Sequence, residues 1–137
     1  MKKVYIDTEV YSEEPLPKVG AAKYFEHHST RTLIVTYQID PLIGVEVWDR
    51  TVDTAIPQNL LDAANDESTL FIAFNAAFDR QALDNVGLHV PLERWRCLMV
   101  ASLALSIQGG LDTVLERVGI PYRKERDGAR LIRKFCM

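Results

Sequence analysis

Residues 31–50, RTLIVTYQIDPLIGVEVWDR, contain the stretch that decides the fold. Residues 31–40 form a β-branched apolar run that ends at the turn-forming pair Asp40-Pro41. Residues 44–50 then alternate apolar and polar side chains, which is the pattern of a half-buried strand. The short spacing between the two runs is typical of a β-hairpin, so we predict two neighbouring antiparallel strands here.

The segments on either side extend this hairpin into a larger sheet. Residues 2–7, KKVYID, predict an earlier strand, and residues 69–75, TLFIAFN, form the continuous apolar run expected of a strand buried on both faces. Residues 92–97, LERWRC, predict a fifth strand. The first three strands follow one another without a long helical pattern between them, and the later strands alternate with helical patterns. The predicted fold class is therefore α/β. We expect a mixed five-stranded sheet that is flanked by helices and whose first three strands are antiparallel. Helices are predicted over residues 57–66, 75–88, 98–107, 110–120 and 127–136, with one helical turn near 21–25.

Composition narrows the class of protein. The 137 residues are enough for one domain, and 47% hydrophobic with 26% charged residues is typical of a globular chain. The net charge of −3 excludes a generally basic nucleic-acid-binding protein, so any basic surface has to be local. No apolar run approaches the roughly 20 residues that span a membrane, so we expect no membrane partner and a cytoplasmic location. Cys97 and Cys136 have no metal-like spacing and are expected to be free thiols.

Three carboxylates carry the chemical pattern. Asp7 and Glu9 are two residues apart at the expected exit of the first strand, so their side chains share one face. Asp79 follows Asn75, the end of the buried strand, by about one helical turn. If these two strands are adjacent the carboxylates converge, and each close pair costs about 1 kcal/mol in water or about 4 kcal/mol at an effective dielectric of 20.

Cations commonly compensate such a cluster. Oxygen-only ligands favour Mg²⁺ or Mn²⁺, and two such ions are a standard device for phosphodiester hydrolysis. Each residue alone has a simpler interpretation. Asp79 is suited to the first turn of a helix, and Asn75 to a cap.

The two motifs resemble those of a known family. Asp7-Thr8-Glu9 matches its first motif, Asp-x-Glu, and FNAAFD at 74–79 matches its second, Asn-x-x-x-(Phe/Tyr)-Asp. The blocks at residues 18–40, 95–121 and 124–136 are similar as well. The chain thus resembles, over essentially its whole length, the 3′–5′ proofreading exonuclease domain of phage-type family A DNA polymerases, in the DEDD superfamily with its ribonuclease-H-like fold.

The resemblance implies roles for the matched residues. Asp7, Glu9 and Asp79 would be the catalytic ligands of a pair of Mg²⁺ or Mn²⁺ ions. Thr8 would offer its backbone and hydroxyl to the 3′ end of single-stranded DNA. Asn75 and Phe78 would position that strand, with packing as the equal alternative. The resemblance also implies a phage or prophage gene whose product acts in the cytoplasm of a bacterial host.

The family's third motif is not found in the sequence. It supplies a fourth carboxylate as Tyr-x-x-x-Asp or His-x-x-x-Asp on a later helix, and neither pattern occurs in the 137 residues. Asp127 is the nearest substitute, but the residue four positions after Tyr122 is Arg126. We therefore expect residues 1–137 to form a single, partial exonuclease-like domain without the last catalytic helix, and its two-metal site to be incomplete.

Three interpretations of such a chain stay open. A second polymerase fragment supplies the missing ligand in trans, the chain is a catalytically inactive remnant, or it is a module that binds nucleic acid or protein without efficient cleavage.

Two groups of residues near the C-terminal half of the chain bear on which partners it could bind. The basic residues Arg94, Arg96, Arg123, Lys124, Arg126, Arg130, Arg133 and Lys134 predict either phosphate contacts or a solvated face. Leu131, Ile132 and Phe135 are expected to be exposed as an apolar patch.

Overall fold

The structure is a computed structural model that describes residues 1–125 and 127–136. Within these ranges the chain forms five strands: β1 (Lys3–Tyr11), β2 (Arg31–Gln38), β3 (Glu46–Asp49), β4 (Leu70–Ala73) and β5 (Trp95–Cys97). It also forms six α-helices: α1 (Leu16–Glu26), α2 (Gln58–Asn65), α3 (Ala76–Asn85), α4 (Leu98–Ala104), α5 (Leu111–Arg117) and α6 (Gly128–Phe135). A 3₁₀ helix at Leu92–Arg94 precedes β5.

The strands form one mixed sheet in the order β3-β2-β1-β4-β5. The pairs β1–β2 and β2–β3 are antiparallel, and the pairs β1–β4 and β4–β5 are parallel. The predicted hairpin of β2 and β3 is confirmed, and β1 and β4 are adjacent, which is the condition under which the carboxylates are expected to converge. The predicted fold class is therefore confirmed, because a mixed five-stranded sheet flanked by helices is consistent with a ribonuclease-H-like fold.

The main core lies between one face of the sheet and helices α2 and α3. The inward-facing residues of β1 and β4 pack there against the apolar sides of the two helices; Val4, Ile6, Phe71, Leu60, Ala63, Ala76 and Leu83 are among the buried members. A second cluster joins α1, β1 and α3 through Tyr24, Val10 and Ala82. Both Trp48 and Trp95 are buried in the main core.

Several predicted boundaries are wrong for local reasons. Strand β1 continues to Tyr11, because the chain past the carboxylates pairs with β2 down to Arg31, so Asp7 and Glu9 lie inside the strand and not at its exit. Helix α1 spans eleven residues with a kink at Gly20, where φ is +76°, and not one turn. The first half of the predicted fifth strand is the 3₁₀ helix Leu92–Arg94, which follows Pro91. Gly87 has φ +81° just after α3, as a helix C-terminus favours.

The C-terminal helices contribute little to the core. Neither α5 nor α6 contains a buried residue among those that the structure describes. Leu131 and Phe135 on α6 are 47% and 57% exposed, which confirms the predicted apolar patch for these two residues, while Ile132 is half-buried. Among the described residues, no helix combines the length and the apolar character that crossing a membrane requires.

Candidate active site

Strand β1 presents its motif on both faces of the sheet. Residues with odd numbers, including Asp7 and Glu9, alternate with the buried residues Ile6, Thr8 and Val10, because successive side chains of a strand point to opposite faces. Asp7 pairs across the sheet with Thr36 of β2, and the pairing register shifts just after Glu9. The two carboxylates therefore share a face, as predicted, and Thr8 points to the side that α3 covers.

Helix α3 brings Asp79 to that covered side. Asp79 lies in the first turn of the helix and is only 4% exposed. The Thr8 hydroxyl donates a hydrogen bond to Asp79 Oδ1 over 2.8 Å. These residues are 71 positions apart in the sequence, so the parallel pairing of β1 and β4 is what brings them together.

Burial controls the charge of this site. Loss of hydration raises the pKa of Asp79 from 3.8 to about 7; the hydrogen bond from Thr8 opposes the shift, and the nearby charge of Asp7 adds to it. Partial burial also raises the pKa values of Asp7 and Glu9, and the charge of Asp7 contributes to the shift at Glu9. Lys124 lowers both of these pKa values by Coulombic attraction. The three carboxylates thus lie in an environment that disfavours their charged forms.

A cleft of about 620 Å³ opens beside these groups. Five of the six predicted site residues line it, namely Asp7, Thr8, Asn75, Phe78 and Asp79. Its volume is within the range of small-ligand sites. The structure therefore gathers residues of both sequence motifs around one opening, with Asp7 and Asp79 as its acidic groups.

Glu9 is the exception among the predicted site residues. It lines two neighbouring apolar grooves bordered by α6, not the cleft of Asp7 and Asp79. The Cys136 thiol donates to Glu9 Oε2 across 3.9 Å. Among the residues that the structure describes, no three His, Cys, Asp or Glu side chains are arranged so that they could hold a metal ion. The donors closest to that chemistry are Asp7 and Asp79, which offer the oxygen ligands that Mg²⁺ and Mn²⁺ prefer.

The side chains of Asn75 and Phe78 differ in the contacts that they make with the rest of the protein. Asn75 occupies the cap position of α3, but its exposed side chain makes no capping hydrogen bond, so the amide is available to the cleft. Phe78 is half-buried, and its ring centroid lies 5.0 Å from that of Phe25 and 6.0 Å from that of Tyr24. The ring of Phe78 therefore packs against other aromatic rings and also lines the cleft.

Two other predicted groups do not join the cleft. Asp127 is exposed and forms an ion pair with Arg130 over 3.6 Å, and it does not line the cleft. Arg94 is 8% exposed and donates to the carbonyl oxygens of Ala63, Ala64 and Thr69. Both interpretations of Arg94, as a phosphate contact and as part of a solvated face, are therefore wrong. Arg126 lies outside the described residues.

Lys124 is the site residue that sequence reasoning did not single out. It lines the cleft with Asp7 and Asp79, together with the apolar residues Leu98 and Leu111. In the sequence it is one of several basic residues near the C-terminus, and no spacing distinguishes it from them. Only the return of the chain after α5 brings it to the carboxylates.

Comparison with known proteins relates the chain to DNA polymerases. No protein-family model matches it. The whole chain is 29% identical over 138 aligned positions to a DNA polymerase of Bacillus phage SP02 and spans 21% of the length of that protein. The aligned region includes the segments of both carboxylate motifs and the C-terminal helices, because it covers 100% of the chain. The chain is therefore similar to one region, about a fifth, of a phage DNA polymerase.

Proposed function

We propose that the chain is the 3′–5′ exonuclease domain, complete or partial, of a phage-type DNA polymerase. One observation carries the proposal: the buried carboxylate of Asp79 and the carboxylate of Asp7 line the same cleft, although they come from distant parts of the sequence. Structural carboxylates are rarely buried without an ion pair. Among the described residues, neither Asp7 nor Asp79 takes part in an ion pair.

The carboxylate oxygens of the cleft supply part of the ligand set of a divalent metal ion. Asp7 and Asp79 would hold Mg²⁺ or Mn²⁺ in the cleft, and Glu9, two residues from Asp7 on the same face, would join them after a shift of its side chain. When bound, the ions would supply an activated water and neutralise charge on the phosphate. A fourth ligand would come from a second polymerase fragment or from another part of a longer chain.

The chain's own residues would prepare this site. Thr8 fixes the orientation of Asp79 through its hydroxyl, which donates to Asp79 Oδ1. The uncommitted amide of Asn75 and the cleft side of Phe78 would contact the 3′-terminal nucleotide of single-stranded DNA. The product would be nucleoside monophosphates, released in the cytoplasm of a phage-infected bacterium.

A binding module without cleavage is the second candidate. The position of Glu9 outside the cleft and the exposed Leu131 and Phe135 favour it. In this alternative the chain retains metal-binding carboxylates but acts by docking to another part of a polymerase. Degradation experiments and metal binding distinguish the two candidates.

The first experiment is degradation of a 5′-labelled single-stranded DNA with Mg²⁺ or Mn²⁺. We expect a 3′–5′ ladder from the wild-type chain and its loss in Asp7→Ala, while the exposed-helix control Asp62→Ala keeps it. A wild-type chain without a ladder would favour the binding module. A ladder that survives in Asp7→Ala would overturn the proposed site.

Calorimetry with Mn²⁺ tests the metal site without catalysis. Asp7→Ala and Asp79→Asn should each weaken Mn²⁺ binding strongly, because each removes one of the two charges that face the cleft. The Asp62→Ala control should bind as the wild type does. Unchanged affinity in both site variants would refute the metal site whatever the result with DNA.

A further inference from the structure

The cleft contains one basic side chain among the described residues, and it belongs to Lys124. Its acidic residues are Asp7 and Asp79, and its remaining lining is polar or apolar. A DNA strand carries a negative charge at each phosphate, so two carboxylates repel it as it enters. Among the residues that the structure describes, the favourable charge offered to a phosphate in the cleft therefore comes from Lys124.

Lys124 is held in place by its backbone while its side chain stays exposed. The backbone N–H of Lys124 donates to Asp112 Oδ1 over 2.5 Å. Asp112 belongs to the first turn of α5, next to Leu111, which also lines the cleft. This hydrogen bond ties the segment after α5 back to the start of the helix, and so fixes the position from which the lysine side chain extends.

The Lys124 ammonium is near the carboxylates without being bound to them. Its charge lowers the pKa values of Asp7 and Glu9, so it lies within Coulombic reach of both. Lys124 nevertheless forms no ion pair with any carboxylate of the described residues. An ammonium that faces the site and keeps its hydrogen-bond donors free is suited to bind an anion.

The surroundings of Lys124 fit a nucleotide better than a free inorganic anion. Leu98 and Tyr5 are 47% and 45% exposed, and both line the cleft. Exposed apolar and aromatic surface beside a cation can hold a base and sugar while the cation holds the phosphate. The same opening therefore combines a phosphate-binding charge, apolar walls and the two carboxylates.

We propose that Lys124 is a substrate-positioning residue that binds a phosphate near the 3′ end of a single-stranded oligonucleotide. The inference rests on the proposed function and adds a residue to which the resemblance gives no role. Lys124 binds the phosphate within the cleft that Asp7 and Asp79 also line.

Oligonucleotide binding measured by fluorescence anisotropy tests this role. The probe is a 5′-fluorescein oligothymidylate, titrated in EDTA over a series of salt concentrations, so that neither metal binding nor cleavage is required. Lys124→Met should weaken binding about tenfold and reduce the slope of log K against log salt by about 0.7, the value for one phosphate contact on a single strand. Lys124→Arg should restore both quantities, and the exposed α1 lysine variant Lys23→Met should leave both unchanged.

Kinetic and unfolding measurements distinguish a role of Lys124 in positioning the substrate from a role in stabilising the fold. If the wild type cleaves DNA, Lys124→Met should raise KM about tenfold with a smaller change in kcat. Its unfolding transition should match the wild type, because the exposed side chain makes no ion pair within the described residues. A variant with wild-type affinity and salt slope would overturn the role of Lys124 and leave the exonuclease proposal standing.

Failure of the exonuclease proposal can also be distinguished from failure of the proposed role of Lys124. If the wild type neither cleaves DNA nor binds Mn²⁺, the exonuclease proposal fails, and loss of oligonucleotide binding in Lys124→Met still supports the phosphate contact. If the wild type binds no oligonucleotide in EDTA or in Mn²⁺, the role of Lys124 is refuted. If Lys124→Met changes Mn²⁺ affinity but not oligonucleotide affinity, the lysine only balances the carboxylates and the proposal is overturned.

Discussion

The substitution Asp79→Asn separates the charge of the buried carboxylate from its shape. Asn keeps an oxygen that can accept the hydrogen bond from Thr8, and it cannot ionise. The pKa of Asp79 rises from 3.8 to about 7 on folding, a change of about 3 units. At about 1.4 kcal/mol per unit, ionising Asp79 in the folded chain costs about 4 kcal/mol relative to the unfolded chain.

The sign of the pH dependence follows from this raised pKa. Between pH 4 and 7 the folded state retains a proton that the unfolded state has lost, so the free energy of unfolding falls as pH rises. The contribution of Asp79 is fully present below pH 3.8 and is lost as pH rises through about 7. Asp79→Asn should therefore match the wild type near pH 4 and exceed it by about 4 kcal/mol at pH 8.

Urea unfolding from pH 4.5 to 8 without divalent ions measures this difference. Comparing wild type with variant cancels the contributions of the titrating groups that do not interact with Asp79. The control Asp62→Asn removes a carboxylate at an exposed position of α2, away from the cleft. Adding Mn²⁺ at pH 8 should stabilise the wild type and not Asp79→Asn, because a bound cation favours the folded state. A difference that is constant across the pH range, or a variant less stable than the wild type at pH 8, would refute the reasoning.

Two further substitutions test buried hydrogen bonds by urea unfolding, one at the site and one between α2 and β4. Thr8→Val should cost about 1.5–3 kcal/mol at pH 8 and less at pH 5, because it removes a hydrogen bond to an ionised group. Equal losses in the control Thr36→Val, a half-buried threonine of β2 that donates to a backbone carbonyl oxygen, would contradict this. Arg94→Met should cost more than about 3 kcal/mol, because three buried carbonyl oxygens lose their donor. The control Arg96→Met should be close to neutral, since Arg96 is exposed, and a neutral Arg94→Met would show that water replaces those bonds.

Local pattern was enough to predict most of the sheet. The alternation in residues 44–50 and the continuous apolar run at 69–75 are properties of consecutive residues, and they identified strands β3 and β4. The alternation along β1 also fixed which side chains share a face, so the common face of Asp7 and Glu9 followed from their spacing. The predicted end of β1 was wrong, because strand length depends on pairing with β2 and not on local composition.

Arg94 shows where local pattern misleads. In the sequence Arg94 and Arg96 resemble an exposed basic pair on either side of Trp95. The 3₁₀ helix before β5 turns Arg94 inward, where its guanidinium donates to carbonyl oxygens at the end of α2 and just before β4. These acceptors come from residues 25 to 31 positions away, so the residues that neighbour Arg94 in the sequence could not reveal them.

The sequence by itself determined the succession of the strands along the chain, the faces of the side chains in β1 and the identity of the candidate carboxylates. Only the tertiary structure decided that Thr8 holds Asp79, that Glu9 lies outside the cleft and that Lys124 lies inside it. It also decided the raised pKa of Asp79. The physical reason is that periodicity is a property of neighbouring residues, whereas burial and charge environment are sums over segments distant in the chain.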